Sequence, residues 1–332
     1  MRITTWNVNG IRAREAQLLE WVQREQPDVL CLQEVKASPE DVPPSLCSLE
    51  GYWCYWHGYK GYSGVGLHLR KSQFPVKPSF SHPPFDAETR IVCAQVEDLV
   101  LASIYVPNGN KDYPAKVRFL EALDGWVASQ LQAGMRLVLC GDLNVAREPR
   151  DVHPKLRKPE QIGQTPDEQA MLEKLIGHGL TDLLRHFDPD NDRLFTWWAP
   201  WRNMRERNIG WRLDYVLASP PVAEHAEKCQ VFREFGASDH APVMAAFRPG
   251  LVKVPAPLPA DVAEAPPPAP PPAPPPIETP PPDPPPAPPP VDTPPPEPPP
   301  APPPIETSPP DPPPAPPPVD TPPPEPPPAP PP

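Results

Sequence analysis

Proline is distributed very unevenly along this chain, and this limits what the chain can fold into. Of 67 prolines in 332 residues, 47 lie in the segment 254–332. Because proline fixes φ and has no backbone N–H group, a segment of this composition cannot form helices or sheets. It also lacks the apolar side chains that a hydrophobic core needs. A folded domain must therefore come from residues 1–250, and no Pro/Gly/Ser-rich linker divides them.

The proline-rich segment 254–332 is also repetitive and acidic. A short unit of Ile or Val, an acid and Thr recurs along it, at Ile277-Glu278-Thr279, Val291-Asp292-Thr293, Ile305-Glu306-Thr307 and Val319-Asp320-Thr321. We expect a disordered, polyproline II-like C-terminal tail that follows a single catalytic domain at 1–250. A solvated spacer is the plainer interpretation of this tail, and a docking site for a proline-binding partner is the alternative.

Net charge divides in the same way as proline. The segment 254–332 has ten acids and no Lys or Arg, so the overall net charge of −12 leaves −2 for residues 1–253. A nearly neutral body neither favours nor excludes a nucleic-acid substrate, because phosphate contacts depend on where the positive side chains lie.

The cysteines and the N-terminal residues indicate a compartment. The six cysteines form no CxxC pair, and two of them lie inside apolar runs: Cys31, Cys47, Cys54, Cys93, Cys140 and Cys229. Core thiols in a reducing compartment are the expected interpretation. No apolar stretch reaches the length of a signal peptide or a membrane helix. We expect a monomeric cytoplasmic protein without a membrane partner, associated with the nucleoid if it is bacterial.

Apolar and β-branched runs alternate with helical patterns along residues 1–250. The predicted strands are Arg2–Trp6, Val29–Gln33, Gly64–Arg70, Arg90–Val96, Leu99–Tyr105, Leu137–Cys140, Leu213–Leu217 and Val243–Phe247. The predicted helices are Ala13–Gln26, Ala115–Gln132 and a segment through Ile176 that opens on the capping box Thr165-Pro166-Asp167-Glu168. These elements favour an α/β fold with sheets buried between helical layers.

Short polar motifs follow several of the predicted strands. They are Trp6-Asn7-Val8-Asn9-Gly10, Leu32-Gln33-Glu34, Tyr105-Val106-Pro107-Asn108-Gly109, Gly141-Asp142-Leu143-Asn144, Gly210-Trp211-Arg212-Leu213-Asp214-Tyr215 and Ser238-Asp239-His240. Taken singly, such residues are more often turn or cap residues. Together they place carboxylates at several strand ends, which favours a hard-cation site. Asp142 and Asn144 would face the same way if their strand continued.

The motifs resemble those of the exonuclease III family of apurinic/apyrimidinic endonucleases, within the endonuclease/exonuclease/phosphatase superfamily. The resemblance covers residues 1 to about 249 and extends to Gly61-Tyr62-Ser63-Gly64-Val65-Gly66 and Ser238-Asp239-His240-Ala241-Pro242-Val243. It implies a four-layer α/β sandwich, in which two facing mixed β-sheets are flanked by helices. It also implies an active site at one edge of the sandwich.

The same resemblance implies a metal site and assigns its residues. The ion is Mg²⁺, with Mn²⁺ as a substitute, and Glu34 is its main ligand. Asn7 and Asp239 lie close to the ion or its waters. Whether one ion or two operate stays open, and a second ion would recruit Asp142, Asn144 and His240.

The catalytic roles are implied in the same way. Asp142 orients or deprotonates the attacking water, and Asn144 holds that water and the phosphate. Tyr105 and Asn108 contact phosphate oxygens. His240 stabilises the charge that develops on the phosphoryl group. Asp214 sets the tautomer and orientation of His240.

The resemblance also implies a set of substrate contacts. Arg12, Lys36, Lys60 and Tyr62 stand where relatives touch the DNA backbone. Trp197, Trp211 and Leu213 form an apolar pocket that receives a base-less sugar. Trp201 is assigned to the duplex groove as a wedge, whereas Trp198 is expected in the core.

Basic residues crowd two further stretches, in which they are expected either to neutralise phosphates or to form ordinary solvated loops. The first stretch contains Arg147, Arg150, Lys155, Arg157 and Lys158. The second stretch contains Arg202, Arg205, Arg207 and Arg212.

The predicted function is that of a magnesium-dependent phosphodiesterase acting in base excision repair. It hydrolyses the DNA backbone 5′ to an abasic site and leaves a 3′ hydroxyl, with 3′–5′ exonuclease or 3′-phosphodiesterase activity. Its partner is double-stranded DNA with abasic sites or 3′ ends. Two alternatives remain: a phosphoesterase of the same fold for lipid or inositol phosphates, and an inactive DNA-binding adaptor.

Overall fold

Two six-stranded β-sheets form the centre of the structure. The structure is a computed structural model that describes residues 1–252, so the expectations for the tail 254–332 lie outside the described residues. The strands are β1 Arg2–Asn7, β2 Val29–Gln33, β3 Tyr52–Tyr59, β4 Tyr62–Arg70, β5 Ser79–Ser81, β6 Ile91–Val96, β7 Leu99–Tyr105, β8 Arg136–Asp142, β9 Thr181–Asp182, β10 Asp214–Ala218, β11 Ala226–Val231 and β12 Val243–Phe247.

Helices cover the outside of these sheets. In the described part of the chain they are α1 Glu15–Glu25, α2 Pro44–Cys47, α3 Tyr113–Gln132, α4 Pro166–Ile176, α5 Leu183–Phe187 and α6 Pro220–Ala223. Single-turn 3-10 helices lie at Ile11–Arg14, Pro39–Asp41, Pro149–Asp151 and Pro154–Leu156. Among residues 1–252, no helix is both long enough and apolar enough to cross a lipid bilayer.

The strand order is mixed in both sheets. The first sheet has the order β11-β12-β1-β2-β4-β3 and the second has the order β5-β6-β7-β8-β10-β9. The neighbours β1 and β2 run parallel, as do β7 and β8. The other neighbouring strands run antiparallel.

The two sheets pack face to face and each is covered by helices on its other side. Val65 of the first sheet and Leu101 of the second belong to one buried cluster between the sheets. The outer face of the second sheet packs on α3 and α4 through Leu123 and Leu172. The outer face of the first sheet packs on α1 through Trp21. The predicted four-layer α/β sandwich is therefore confirmed.

Local sequence accounts for the helix boundaries. Helix α1 ends shortly before Pro27, which cannot donate the next backbone hydrogen bond. Helix α3 begins after Asp112, whose carboxylate accepts a backbone N–H from the first turn. Helix α4 opens on the predicted capping box, in which Thr165 and Glu168 accept each other's backbone N–H groups.

Strand register brings the polar motifs to one edge of the sandwich. In the first sheet, Asn7 at the end of β1 pairs with Gln33 at the end of β2. In the second sheet, Asp142 at the end of β8 pairs with Tyr105 on one side and with Asp214 on the other. Because the two sheets face each other, both sets of strand ends contribute to one site.

Two local expectations are wrong. Strand β8 ends at Asp142, and Asn144 has φ of 52°, so the strand does not continue to align these two side chains. They still meet, because the turn brings Asn144 Nδ2 to 3.2 Å from Asp142 Oδ2. Cys47 is exposed and Cys54 is only partly buried, so not every cysteine is a core thiol.

Candidate active site

Two carboxylates, one from each sheet, lie at the centre of the site. Asn7 Nδ2 donates hydrogen bonds to Glu34 Oε1 and to Asp142 Oδ2, both at 2.9 Å. The hydroxyl of Tyr105 also donates to Glu34 Oε1, at 3.0 Å. Lys36 Nζ lies 2.8 Å from Glu34 Oε2 and forms an ion pair with it. Donors from both sheets thus hold Glu34 in place.

Left-handed backbone conformations cluster around these carboxylates. Asn9, Glu34, Lys36 and Asn144 have φ of 46°, 50°, 52° and 52°. Such conformations cost a non-glycine residue on the order of 1 kcal/mol each and persist only where surrounding contacts enforce them. Contacts at this sheet edge therefore hold these four residues in place.

His240 lies between two buried carboxylates. Its Nδ1 is 2.8 Å from Asp214 Oδ2, and its Nε2 is 3.7 Å from Asp142 Oδ2. Burial disfavours the imidazolium, but the negative charges of Asp214 and Asp142 outweigh burial and raise the pKa of His240 to about 10. The imidazole is therefore positively charged at neutral pH, with the Asp214 contact fixing its orientation.

Asp142 is surrounded by other carboxylates as well as by the charged His240. It is almost fully buried. Burial raises its pKa. The positive charge of His240 opposes this rise, whereas the negative charges of Asp214 and Glu34 add to it. The pKa of Asp142 therefore lies at about 7. A carboxylate with a pKa near neutral can accept a proton from water in a reaction at neutral pH.

A metal ion would fit this group of residues. Candidate ligand atoms of Glu34, Asp142 and His240 lie within 4.8 Å of one another. The charged imidazole of His240 has no lone pair for a cation, so the two carboxylates are the groups that would hold the ion. Two carboxylates from different sheets suit a hard divalent cation. The pKa of Glu34 is lowered, because hydrogen bonds from Asn7 and Lys36 outweigh the effect of burial. Glu34 is thus available as an anionic ligand.

The other expected metal ligands have different partners in the structure. Asn7 presents its amide nitrogen to the carboxylates, and its Oδ1 accepts the backbone N–H of Asn9 at 3.0 Å. Asp239 accepts hydrogen bonds from Asn9 Nδ2 at 2.8 Å and from Trp197 Nε1 at 2.9 Å. Their roles at a metal stay predictions.

A cleft with one apolar wall contains the acid and imidazole groups. Its volume is about 250 Å³, and its lining includes Asp142, His240, Trp197, Trp211 and Leu213. The rings of Trp197 and Trp211 meet edge to face, with centroids 5.8 Å apart. The three apolar side chains expected to form a pocket thus do lie together, next to the carboxylates.

The neighbouring tryptophans have different environments. Trp198 is 1 % exposed and packs in the core, as predicted, with its Nε1 donating to Asn208 Oδ1. Trp201 is 59 % exposed and is not part of the cleft lining. Its assignment as a wedge stays a prediction.

Three of the expected DNA-binding residues belong to a second, adjoining cleft of about 470 Å³. Lys36, Tyr62 and Asn108 line it. Arg12 and Lys60 are exposed, and the Lys60 ammonium lies 4.8 Å from the centre of the Tyr59 ring. This second cleft shares Glu34, Tyr105 and Asn108 with the first, so the two form one continuous surface.

Part of the basic-loop expectation is wrong. Arg212 is fully buried, and its guanidinium pairs with Asp151 at 2.7 Å and with Asp182 at 2.6 Å, so it cannot reach a phosphate. Arg205 donates to four backbone carbonyls of residues 233–238. Arg147 pairs with Glu173. These arginines hold the protein's own loops together.

Other residues of the site had no signal in the sequence analysis. Thr196 Oγ1 accepts the backbone N–H groups of Leu213 and Asp214, at 2.9 and 3.0 Å, and so positions the strand that carries Asp214. Gln161, Ile162 and Gly163 line the cleft from a loop without a recognisable motif.

Two facing mixed sheets, with buried carboxylates, an imidazole and a cleft with an apolar wall at one edge, define a class of hydrolases that cleave phosphate esters. Residues 4–240 match the model of the Endonuclease/Exonuclease/phosphatase family. The chain belongs to this family.

Two similar proteins each match about three quarters of this chain. The DNA repair nuclease APEX1 of Danio rerio is 34% identical over 255 residues, which is 73% of this chain and 81% of the relative. Recombination repair protein 1 of Drosophila melanogaster is 33% identical over 256 residues, which is 74% of this chain but 37% of the relative. The chain thus spans little more than a third of the Drosophila protein.

Solved structures show the same fold. The 3′–5′ exonuclease NExo of Neisseria meningitidis has a TM-score of 0.68 and 32% identity, over 74% of this chain and 99% of that chain. An AP endonuclease from Archaeoglobus fulgidus has a TM-score of 0.67 and 30% identity, over 74% of this chain and 99% of that chain.

Proposed function

We propose that this protein is a DNA repair nuclease that hydrolyses the phosphodiester on the 5′ side of an abasic site and leaves a 3′ hydroxyl. One observation carries the proposal: the acid and base groups and the apolar side chains line the same cleft. At about 250 Å³, this cleft is below the roughly 300–1,000 Å³ of sites for larger ligands. Its size suits a base-less sugar and its phosphate.

The protein's own groups supply the proton chemistry. Asp142 accepts a proton from the attacking water, since its pKa of about 7 matches the pH of the reaction. Asn144 holds that water and the phosphate, with its amide fixed by Val106 O at 2.9 Å. The charged His240 stabilises the negative charge that grows on the phosphoryl oxygens, and Asp214 keeps its ring in place.

A divalent metal ion would complete this site. Glu34, whose pKa is lowered, is the main group that would hold it, and Asp142 lies close by. We propose Mg²⁺ as the native ion and Mn²⁺ as a substitute, because the carboxylate oxygens are hard ligands. When bound, such an ion withdraws negative charge from the non-bridging phosphate oxygens.

The apolar wall of the cleft selects the substrate. Trp211 and Leu213 are buried and pack on Ala146 and Val152, so they form a rigid wall. A rigid, narrow cleft admits a sugar without a base and excludes an intact nucleotide, which is how selectivity for damaged sites arises. Lys36, Lys60, Tyr62 and Arg12 are the proposed contacts to the DNA backbone.

The test uses a duplex that carries one synthetic abasic residue. With Mg²⁺, we expect a single nick on the 5′ side of that residue and a 3′ end that a DNA polymerase extends. Addition of a chelator should abolish the nick, and Mn²⁺ should restore it. Absence of metal-dependent nicking, together with release of phosphate from inositol phosphates, would favour the phosphoesterase alternative instead.

Two variants test the assigned roles. Asp142→Ala and His240→Ala should each lower the nicking rate by about 10²- to 10⁴-fold, the range typical for a general acid or base. Asp190→Ala, which removes an exposed acid outside both clefts, is the matched control. Nicking at the wild-type rate by either site variant would contradict the roles but not the fold.

The monomeric state and the cytoplasmic location stay predictions.

A further inference from the structure

A buried ion pair lies beneath the candidate active site and takes no part in the proton chemistry. Lys116 of α3 and Glu168 of α4 are both 0% exposed, and Lys116 Nζ lies 2.5 Å from Glu168 Oε1. Burying two charges costs several kcal/mol per ion, and replacing such a pair with apolar side chains is often neutral or stabilising. Stability alone therefore gives little reason for a pair at this position.

Lys116 connects α3 to two loops that line the cleft containing Asp142 and His240. Its Nζ lies 2.7 Å from the backbone carbonyl of Asn144 and 3.5 Å from that of Asn108, and it donates to both. Both asparagines line the cleft. Asn144 has a left-handed φ of 52°, so a cation on its carbonyl helps to hold a conformation that its own backbone disfavours.

Glu168 connects α4 to a third loop of the same cleft. Its Oε2 accepts the backbone N–H of Gly163 at 2.7 Å and the hydroxyl of Thr165 at 2.6 Å. The carbonyl of Gly163 in turn accepts the backbone N–H of Ala146 at 2.8 Å. Gly163 lines the cleft, so the ion pair and its hydrogen bonds join all three loops.

Packing around the lysine stem leaves little room for these loops to shift. Gly109 has φ of +83°, and a Cβ added there would lie 3.0 Å from Lys116 Cδ and 3.1 Å from Ile162 Cγ2. Gly109 of the loop 107–110 therefore packs tightly against the side chains of both Lys116 and Ile162.

We propose that Lys116 and Glu168 are positioning residues that set the relative places of the loops 107–110, 143–146 and 161–163. Through Asn144, whose Nδ2 lies 3.2 Å from Asp142 Oδ2, the pair determines where the amide stands relative to the proposed base. The catalytic consequence rests on the proposed function, whereas the structural consequence does not.

The experiment compares Lys116→Met/Glu168→Gln with the wild-type chain. The double variant removes both charges, keeps an oxygen at residue 168 for the capping box, and loses the hydrogen bond to Asn144. Under single-turnover conditions on the abasic duplex, we expect the cleavage rate constant to fall at least about 10-fold, because a 1 Å misplacement costs on the order of 10²-fold. The Kd for the duplex should change less than the rate.

A matched control comes from the same two helices. Asp124 of α3 pairs with Lys174 of α4 at 2.7 Å and with His178 at 2.8 Å, and neither of the clefts described above includes it. Asp124→Asn weakens the contact between the helices without touching the three loops. Its single-turnover rate should equal that of the wild type. An equal loss in both variants would show that helix packing, not loop placement, matters, and would overturn the proposal.

Amide hydrogen exchange tests the proposal without any activity. In the double variant, peptides that cover 106–110, 143–147 and 161–165 should exchange faster, while those in the middle of α3 and α4 should not. Unchanged exchange in the three loops overturns the proposal even if the wild type cleaves no abasic DNA. If the wild type cleaves and the folded variant cleaves equally fast, this inference fails and the proposed function stands.

A second variant guards against a folding failure. Lys116→Gln/Glu168→Gln keeps two polar side chains that can hydrogen bond to each other, but glutamine is too short to replace the lysine contact with Asn144. It should show the same loss of rate and the same faster exchange. If neither double variant folds while Asp124→Asn does, the pair is a requirement of the fold, and the proposal is wrong.

Discussion

At the scale of single residues, His68 is buried without a polar partner. It lies on β4, is 1% exposed, and its ring centre is 4.4 Å from that of Trp56. Neither ring nitrogen has a hydrogen-bond partner among residues 1–252. Burial lowers the pKa of His68 to about 3, so the ring is neutral in the folded protein at any physiological pH.

This environment predicts a specific loss of stability in acid. A histidine in the unfolded chain has a pKa of 6.5, whereas burial lowers the pKa of His68 in the folded protein to about 3. The contribution of the neutral His68 ring to the free energy of unfolding is fully present above pH 6.5. It is lost progressively as pH falls, since the unfolded chain takes up the proton first. Between pH 7 and pH 4, this one group should remove about 3 kcal/mol from the free energy of unfolding.

The measurement is urea unfolding of the wild type and of His68→Leu at a series of pH values. The variant should lose less stability between pH 7 and pH 4, because it has no proton to take up. His186→Leu, at an exposed position of α5, is the control and should follow the wild-type pH dependence. Parallel curves for wild type and His68→Leu would show that His68 is not buried as a neutral ring.

Single residues also show where the sequence was informative. Asp214 and His240 stand in motifs on which the resemblance to the exonuclease III family rests, and their side chains do meet at 2.8 Å. Arg212, two residues before Asp214, looked like a phosphate ligand. Its partners Asp151 and Asp182 lie 61 and 30 residues away in sequence, so no local pattern could reveal the buried network. Long-range ion pairs of this kind need the fold.

At the scale of elements, β8 carries Asp142 into the site at the cost of a tight contact with β7. Gly141 precedes Asp142 and pairs with Ile104 of β7. A Cβ added at Gly141 would lie 1.8 Å from the carbonyl oxygen of Ile104, far inside van der Waals contact. Only glycine lets the two parallel strands approach as they do, so the position of Asp142 depends on this residue.

Gly141→Ala should therefore destabilise the protein and impair the site together. Because the clash is with backbone, which cannot rotate away, we expect a loss of about 3 kcal/mol or more in the free energy of unfolding. The residual folded enzyme should also nick abasic DNA more slowly than its folded fraction explains. Thermal unfolding and an assay normalised to folded protein measure both effects.

Gly125→Ala is the matched control for this substitution. Gly125 lies inside α3, and a Cβ there would have no atom within 4 Å. Replacing glycine by alanine in a helix interior should stabilise the protein by about 0.5–1 kcal/mol. If Gly141→Ala behaved like this control, the approach of β7 and β8 would be looser than the structure shows.

The sequence predicted the central elements better than the edge elements. Strands such as β2 and β7 are buried along their whole length and read as unbroken apolar runs. Strand β11, an edge strand with the sequence AEKCQV, is buried at only one position, so no apolar run marks it. Strand β3 is also at an edge, and its intermediate burial on both faces hides the alternation. Edge strands need no second buried face, so hydrophobic pattern does not find them.

At the scale of the whole molecule, charge is divided between two parts of the chain. Residues 254–332 carry ten acids and no Lys or Arg, whereas residues 1–253 have a net charge of −2. The proposed DNA surface depends on a few cations, such as the exposed Arg12 and Lys60 and the half-buried Lys36. Ten negative charges on the same chain should repel DNA phosphates, and salt screens such repulsion.

Removal of residues 254–332 should therefore strengthen DNA binding, and more at low salt than at high salt. About 74% of this chain covers 99% of each of the two matched structures, and residues 4–240 match the family model, which supports folding of the shortened chain. At low ionic strength we expect the Kd for an abasic duplex to fall roughly 3- to 10-fold on truncation. Near 0.3 M salt, where the Debye length is shorter than about 8 Å, the difference should vanish.

A full-length variant in which the ten tail acids become Asn or Gln separates charge from length. If charge is the cause, this variant should bind DNA like the truncated chain. If the truncated chain binds more tightly and the neutral full-length chain does not, the tail acts by volume. Equal Kd values for all three chains at every salt concentration would show that the acidic repeats do not reach the DNA surface, and that the tail is a spacer.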